Sequence, residues 1–242
     1  MGYKFCLMGL DEKFFKTCWP PTVKPLAEIS KPYKTLYKIK NNNKMIDFEK
    51  AYVLENDKIT LRPMVESDYD LLLEFSTNEP DIWKFNANEP NSPENLKNYI
   101  NKVLYNRKMK IDYPFTVIHK AENKVIGSTR FYSINLLNKT TELGFTWYGK
   151  KYHGTYVNKN CKFLLLEFAF EQLNMERVGF RANSLNIPSI SAMKSIGCVE
   201  EGVLRNFSSD AAGNRIDATV LSIIKNDWFE IVKQNLINKI GK

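Results

Sequence analysis

The stretch Thr141–Ile196 reads TELGFTWYGKKYHGTYVNKNCKFLLLEFAFEQLNMERVGFRANSLNIPSISAMKSI. A strand-like piece, Glu142 to Tyr148, enters a short turn over Gly149 to Thr155. The turn opens an apolar-periodic helix expected over Val157 to Leu173. A second strand, Arg177 to Ala182, leads through Asn186 into another helix ending near Ile196. Strand, Gly154 loop and helix N-terminus together can make an anion cradle from free backbone N–H groups and the helix dipole. Lys150 and Lys151 add positive charge. An ordinary strand-to-helix turn is the plainer reading of this local pattern taken alone. No Gly-x-Gly occurs in the chain and no P-loop pattern is present, which argues against a dinucleotide fingerprint.

Outward from this stretch the pattern is regular. Lys58 to Met64 alternates as a strand. Ser67 is positioned to cap a helix carrying Tyr69, Leu72, Leu73 and Phe75. Residues 78–91 read as a loop containing Trp83 and Phe85. Ser92-Pro93-Glu94 opens a helix with Leu96, Ile100, Val103 and Leu104 on one face. Tyr113 to His119 and Lys124 to Tyr132 form a hairpin about Ala121-Glu122-Asn123, and Thr141 to Tyr148 extends it to an antiparallel meander. Beyond the quoted stretch, Cys198 to Arg205 and Ile216 to Ile224 make a final hairpin, and Asn226 to Ile240 is an amphipathic helix. From residue 58 the order is β α α β β β α β α β β α. That order predicts an α+β fold, a mixed and mostly antiparallel sheet with helices on both faces.

Composition narrows the function classes. The 242 residues are 43% hydrophobic, enough for a substantial core. Cys6, Cys18, Cys161 and Cys198 form no CxxC pair and share no ligand spacing with His119 or His153. Neither a zinc site nor a disulfide framework is expected, and a reducing cytoplasm suits such cysteines. No apolar run reaches membrane-spanning length, so no membrane partner is expected. The net charge of +8 is concentrated in residues 1–44, which hold nine Lys against Asp11, Glu12 and Glu28. The remainder carries 26 basic and 24 acidic residues, so no nucleic-acid footprint is expected. Residues 1–44 read as a poorly ordered basic extension with four prolines and an Asn41–Asn43 run. Residues 45–242 read as one domain, with Met45 an alternative start.

The residues also carry a resemblance. In order, they are Ile59-Thr60-Leu61-Arg62-Pro63, Lys124-Val125-Ile126-Gly127, Glu142-Leu143-Gly144-Phe145, Gly154-Thr155, Ala169-Phe170-Glu171, Arg177-Val178, Asn186-Ile187-Pro188-Ser189, Gly197, Glu201-Gly202, Leu204-Arg205 and Asp227-Trp228. Lys58 to Trp228 thereby resembles the GNAT N-acetyltransferases, in the branch of RimJ/RimL-like ribosomal-protein N-terminal acetyltransferases. The resemblance implies the GNAT acyl-CoA N-acyltransferase fold and acetyl-CoA as co-substrate, with no metal. It implies transfer of acetyl to a primary amine, either a protein N-terminus or a small molecule. It leaves room for a homodimer.

It also implies a site. The CoA arm would lie along Phe145, Thr146, Trp147 and Tyr148, and the pyrophosphate on Lys151, His153, Gly154, Thr155, Tyr156, Val157 and Asn158. Asn186 would contact the arm as well as cap its helix. Glu142 is the expected general base, against a structural role in strand pairing or substrate orientation. Ser189 is the candidate proton donor, against a simple capping hydroxyl. Trp83 and Phe85 would wall the acceptor, against core packing. Two positions depart from the family pattern. Tyr156 stands where Gly or Ala is usual. Met193 stands where many relatives place a Tyr that serves as general acid, a Tyr the RimJ/RimL-like branch often lacks, and Met cannot donate a proton. A GNAT-fold CoA-binding module without turnover is the alternative reading.

Overall fold

The computed structural model describes residues 46–85, 90–210 and 212–241. The expected N-terminal extension, Met45, Cys6 and Cys18 lie outside the described residues. Eight strands form one sheet: β1 (Leu54–Glu55), β2 (Ile59–Pro63), β3 (Tyr113–His119), β4 (Lys124–Asn135), β5 (Thr140–Tyr148), β6 (Arg177–Asn183), β7 (Val199–Ser209) and β8 (Arg215–Ile224). Their spatial order is β1-β2-β3-β4-β5-β6-β8-β7. Every neighbouring pair is antiparallel except β5 and β6. That one parallel pair needs a crossover, and helix α3 (Tyr156–Glu167) supplies it.

The helices divide between the two faces. On one side α1 (Asp68–Asn78) and α2 (Pro93–Lys108) bury Leu72, Phe75, Leu96, Ile100 and Val103 with Trp83 and Trp147. On the other, α3 buries Val157, Cys161, Leu164 and Leu165 at the spacing a helix needs to present one face. A π turn, Phe168–Gln172, continues α3 and keeps Phe168, Ala169 and Phe170 in the core. The final helical run, α5, comprises Lys225–Asp227, a π turn Trp228–Val232 and Lys233–Ile240. Its Trp228 stacks on Phe170 with ring centres 5.7 Å apart and donates its indole N–H to Glu171. Helix α4 (Ile187–Ser195) follows β6 directly. Among the described residues no helix is long and apolar enough to cross a membrane.

Helix starts show which local signals hold. Ser92 Oγ accepts the Asn95 N–H, and Asn186 Oδ1 accepts the Ser189 N–H at 3.1 Å. The expected Ser67 cap is different. Ser67 is already helical and makes no capping bond, whereas the Asp68 carboxylate accepts the Val65 N–H at 2.9 Å. Asp68 is fully buried and also accepts from Arg62 and from the Thr116 hydroxyl. A buried carboxylate outcompetes an exposed hydroxyl here because it ties α1, β2 and β3 together. Asp68→Ala would leave three donors without this acceptor. It is expected to cost about 3 kcal/mol, read as a lower urea midpoint at unchanged m-value.

Candidate functional site

The sheet opens where β5 and β6 meet. Their parallel pairing covers only Thr140↔Arg177, Thr141↔Val178 and Glu142↔Gly179. Beyond Glu142 the two strands part, and the edge of β5 from Leu143 to Tyr148 has no strand partner on that side. The other edge of β5 shows why it turns. Ser128 pairs with Trp147 but Arg130 pairs with Gly144, so Phe145 and Thr146 together oppose Thr129. That is a β-bulge, which bends its strand and increases its twist. Phe145 has φ +49°, a left-handed conformation that a bulky residue adopts only at a cost of ~1–3 kcal/mol. Gly127 is needed beside it, because a Cβ there would lie 2.1 Å from the Trp147 carbonyl oxygen.

Side chains hold the bulge from both faces. Towards α1 and α2, the Arg130 guanidinium lies 3.5 Å from the Phe145 ring centre, and Tyr132 meets that ring edge-on at 5.0 Å. Towards α3, the Thr129 and Thr146 hydroxyls are 2.7 Å apart, and the Lys162 ammonium donates to Thr146 at 2.7 Å.

At the point of parting is a cleft of about 250 Å³, lined by residues that include Thr141, Glu142, Gly179, Phe180 and Arg181. Glu142 faces it. Its carboxylate accepts from Arg181 Nε at 2.7 Å. Burial, and then the neighbouring Glu142 carboxylate, push the Tyr132 hydroxyl above its ordinary range. Gly179 leaves room for Glu142, whose Cγ would lie 3.2 Å from a Cβ at that position.

Downstream of β5, a 3₁₀ turn (Lys150–Tyr152) leads to Gly154 at φ +71° with open space where a Cβ would be. Thr155 caps α3, accepting the Val157 N–H and donating its hydroxyl to the Tyr152 carbonyl. The other first-turn N–H groups are left over by helix geometry. His153 donates a ring N–H to the Tyr148 carbonyl at 2.8 Å. Lys150 and Lys151 pair with Asp81 and Glu122. Tyr156 takes a helical conformation, so its position needs no positive φ. Its hydroxyl lies 2.5 Å from His119 Nε2, and its ring stacks on that imidazole. The Tyr148 hydroxyl donates to Asn158 at 3.3 Å.

The other sequence candidates are more scattered. Trp83 is buried, with its ring centre 4.5 Å from that of Trp147 and the two planes inclined at 65°, so Trp83 reaches β5 through packing. Trp147 is itself buried and offers the cleft its backbone. Phe85 is exposed beside Lys84. Asn186 and Ser189 sit at the start of α4, and the Ser189 N–H is taken by the cap. Sequence reasoning missed Arg181, Tyr132, Arg130 and Lys162. Arg181 carried a signal: two residues beyond Gly179 on β6, it shares that glycine's face.

Residues 58–199 match the family described as Acetyltransferase (GNAT) domain. The chain belongs to the GNAT acetyltransferases. It is 26% identical over 179 residues to the uncharacterized N-acetyltransferase p20 of Bacillus licheniformis, a match covering 72% of this chain and 97% of that one. The fold is shared with a GCN5-related N-acetyltransferase from Brucella melitensis, with TM-score 0.74, 21% identity and coverage of 82% and 90% of the two chains. It is also shared with a ribosomal-protein-S5-alanine acetyltransferase from Vibrio fischeri, with TM-score 0.60, 20% identity and coverage of 73% and 98%. In this GNAT acetyltransferase the parted strands and the Gly154 loop lie within the matched residues.

The two glycines should respond differently. Gly127→Ala is expected to destabilise by about 1–3 kcal/mol through its clash with β5, whereas Gly154→Ala costs about 1 kcal/mol for its positive φ alone. Chemical denaturation of both variants checks the order.

Proposed function

We propose that this enzyme transfers acetyl from acetyl-CoA to a primary amine by direct attack on the thioester. One observation carries the reading: β5 loses its strand partner immediately after Glu142, and the freed edge runs straight into the Gly154 loop and the N-terminus of α3. An extended arm with amide groups can pair with that edge as a missing strand would. A pyrophosphate suits the loop and the helix start. The roles of Phe145 to Tyr148, Gly154 to Asn158 and Asn186 as cofactor contacts belong to this proposal.

The chemistry follows from the side chains. A backbone N–H of the freed edge polarises the thioester carbonyl and stabilises the oxyanion that forms. The attacking amine must be neutral, so its proton passes to Glu142 directly or through water. Arg181 and Tyr132 hold that carboxylate in the cleft. Support for a protein N-terminus as acceptor comes from the RimJ/RimL-like resemblance and from the S5-alanine acetyltransferase that shares the fold. A small amine is the other acceptor class. The buried Cys161 and Cys198 thiols fit a cytoplasmic site of action.

Two observations favour the second reading, a CoA-binding module without turnover. Glu142 is already paired with Arg181, and the buried Met193 stands where many relatives have a Tyr as general acid. Calorimetry with acetyl-CoA followed by thiol release against an amine panel separates the two. The enzyme reading expects binding and turnover, and binding without turnover across the panel would favour the module. Glu142→Gln is expected to lower kcat about 100-fold or more while leaving acetyl-CoA affinity nearly intact. Unchanged turnover would remove Glu142 from the mechanism.

A further inference from the structure

Lys162 lies on the inward face of α3 and is only 5% exposed. Its ammonium donates to Thr146 on the β5 bulge at 2.7 Å and lies 5.9 Å from the ring centre of Phe180 on β6. It therefore sits between the two strands just where they have parted. Lysines are rarely buried without an anion, because an unpaired charge in low dielectric is strongly disfavoured. The ionisable groups facing Lys162 are Cys161 on its own helix and Cys198 beyond α4. Burial pushes both thiols up to about 12, and it pushes the Tyr148 hydroxyl beside Cys161 well above its ordinary range. All three are neutral at pH 7, so among the described residues the cation has no resident counter-ion. Burial in turn lowers Lys162 to about 8, which leaves it mostly protonated at neutral pH.

We propose that Lys162 is a catalytic cation whose ammonium pairs with the CoA thiolate as the thioester breaks. This rests on the acetyl-CoA reading above. The amine nitrogen bonds to the acetyl carbon, the C–S bond breaks, and its electron pair stays on sulfur. The amine's proton leaves on the Glu142 side of the sheet. The sulfur's new negative charge arises in the parted strands, where the Thr146-bound ammonium meets it. The thiolate takes a proton from solvent on release. Thr146 and its neighbour Thr129 fix the ammonium against the bulge. A nearby cation matters most at this step, since it interacts more strongly with the developing thiolate than with the neutral thioester.

The test needs CoA alone. The ultraviolet thiolate band of bound CoA is titrated against pH in the wild type, Lys162→Met and Lys162→Arg. Wild type and Lys162→Arg should ionise the bound thiol ~1 pH unit or more below Lys162→Met. Coincident titrations in all three would overturn the role of Lys162 with the acetyl-CoA reading intact. A wild type that binds no CoA would instead overturn the acetyl-CoA reading. Folding is checked independently. The depressed lysine costs stability below about 8, and the cost fades as pH rises towards its ordinary 10.5. Lys162→Met should therefore raise Tm at pH 7, with the gain shrinking at alkaline pH. A lowered Tm at pH 7 would mean that Lys162 is a structural group, and would also overturn the proposal.

Discussion

The parting of β5 from β6 is the constraint on which the rest of the molecule depends. Three register pairs hold the strands together, and then the bulge at Phe145 and Thr146 turns β5 away. A sheet interior normally satisfies every backbone N–H and C=O in a strand ladder. Here one edge is withheld from the ladder in the middle of an eight-stranded sheet. The surrounding structure has to hold that arrangement open. Arg130 and Tyr132 do so from the α1 and α2 side, with Thr129, Thr146 and Lys162 on the α3 side. The strained φ of Phe145 persists because both sets of contacts fix it.

The two faces of the opening then differ in chemistry. On the α1 and α2 side the charges are paired: Glu142 with Arg181 at the cleft, and Arg130 with Asp112 behind it. On the α3 side Lys162 is a buried cation among neutral thiols and aromatic rings. On the mechanism proposed above, the amine attacks from the Glu142 side and the thiolate departs towards Lys162.

Much of this was legible in the sequence. Strand alternation, the Ala121-Glu122-Asn123 turn, the Ser92 and Asn186 caps and the long apolar face of α3 all predict what is observed, because each is a local signal of backbone geometry or burial. The site was less legible. Glu142 and Arg181 are 39 residues apart in sequence, and only the parallel pairing of β5 with β6 brings them together. Phe145 offers no warning of a positive φ, since that conformation is imposed by the register of β4 and by packing on Arg130. Lys162 falls in a helix, where a lysine ordinarily marks the solvent face. Ser67 fails as a cap because Asp68, one residue on, has better partners in β2 and β3. In each case a tertiary contact outweighs a local preference.

On the proposed function, the freed edge of β5 is the seat of an acetyl-CoA arm. Amide hydrogen exchange with and without acetyl-CoA tests it most directly. Slower exchange is expected, confined to Phe145–Tyr148 and to the first turn of α3, with the amides of β3 unchanged. Exchange at Phe145–Tyr148 that stays the same under saturating acetyl-CoA would contradict it.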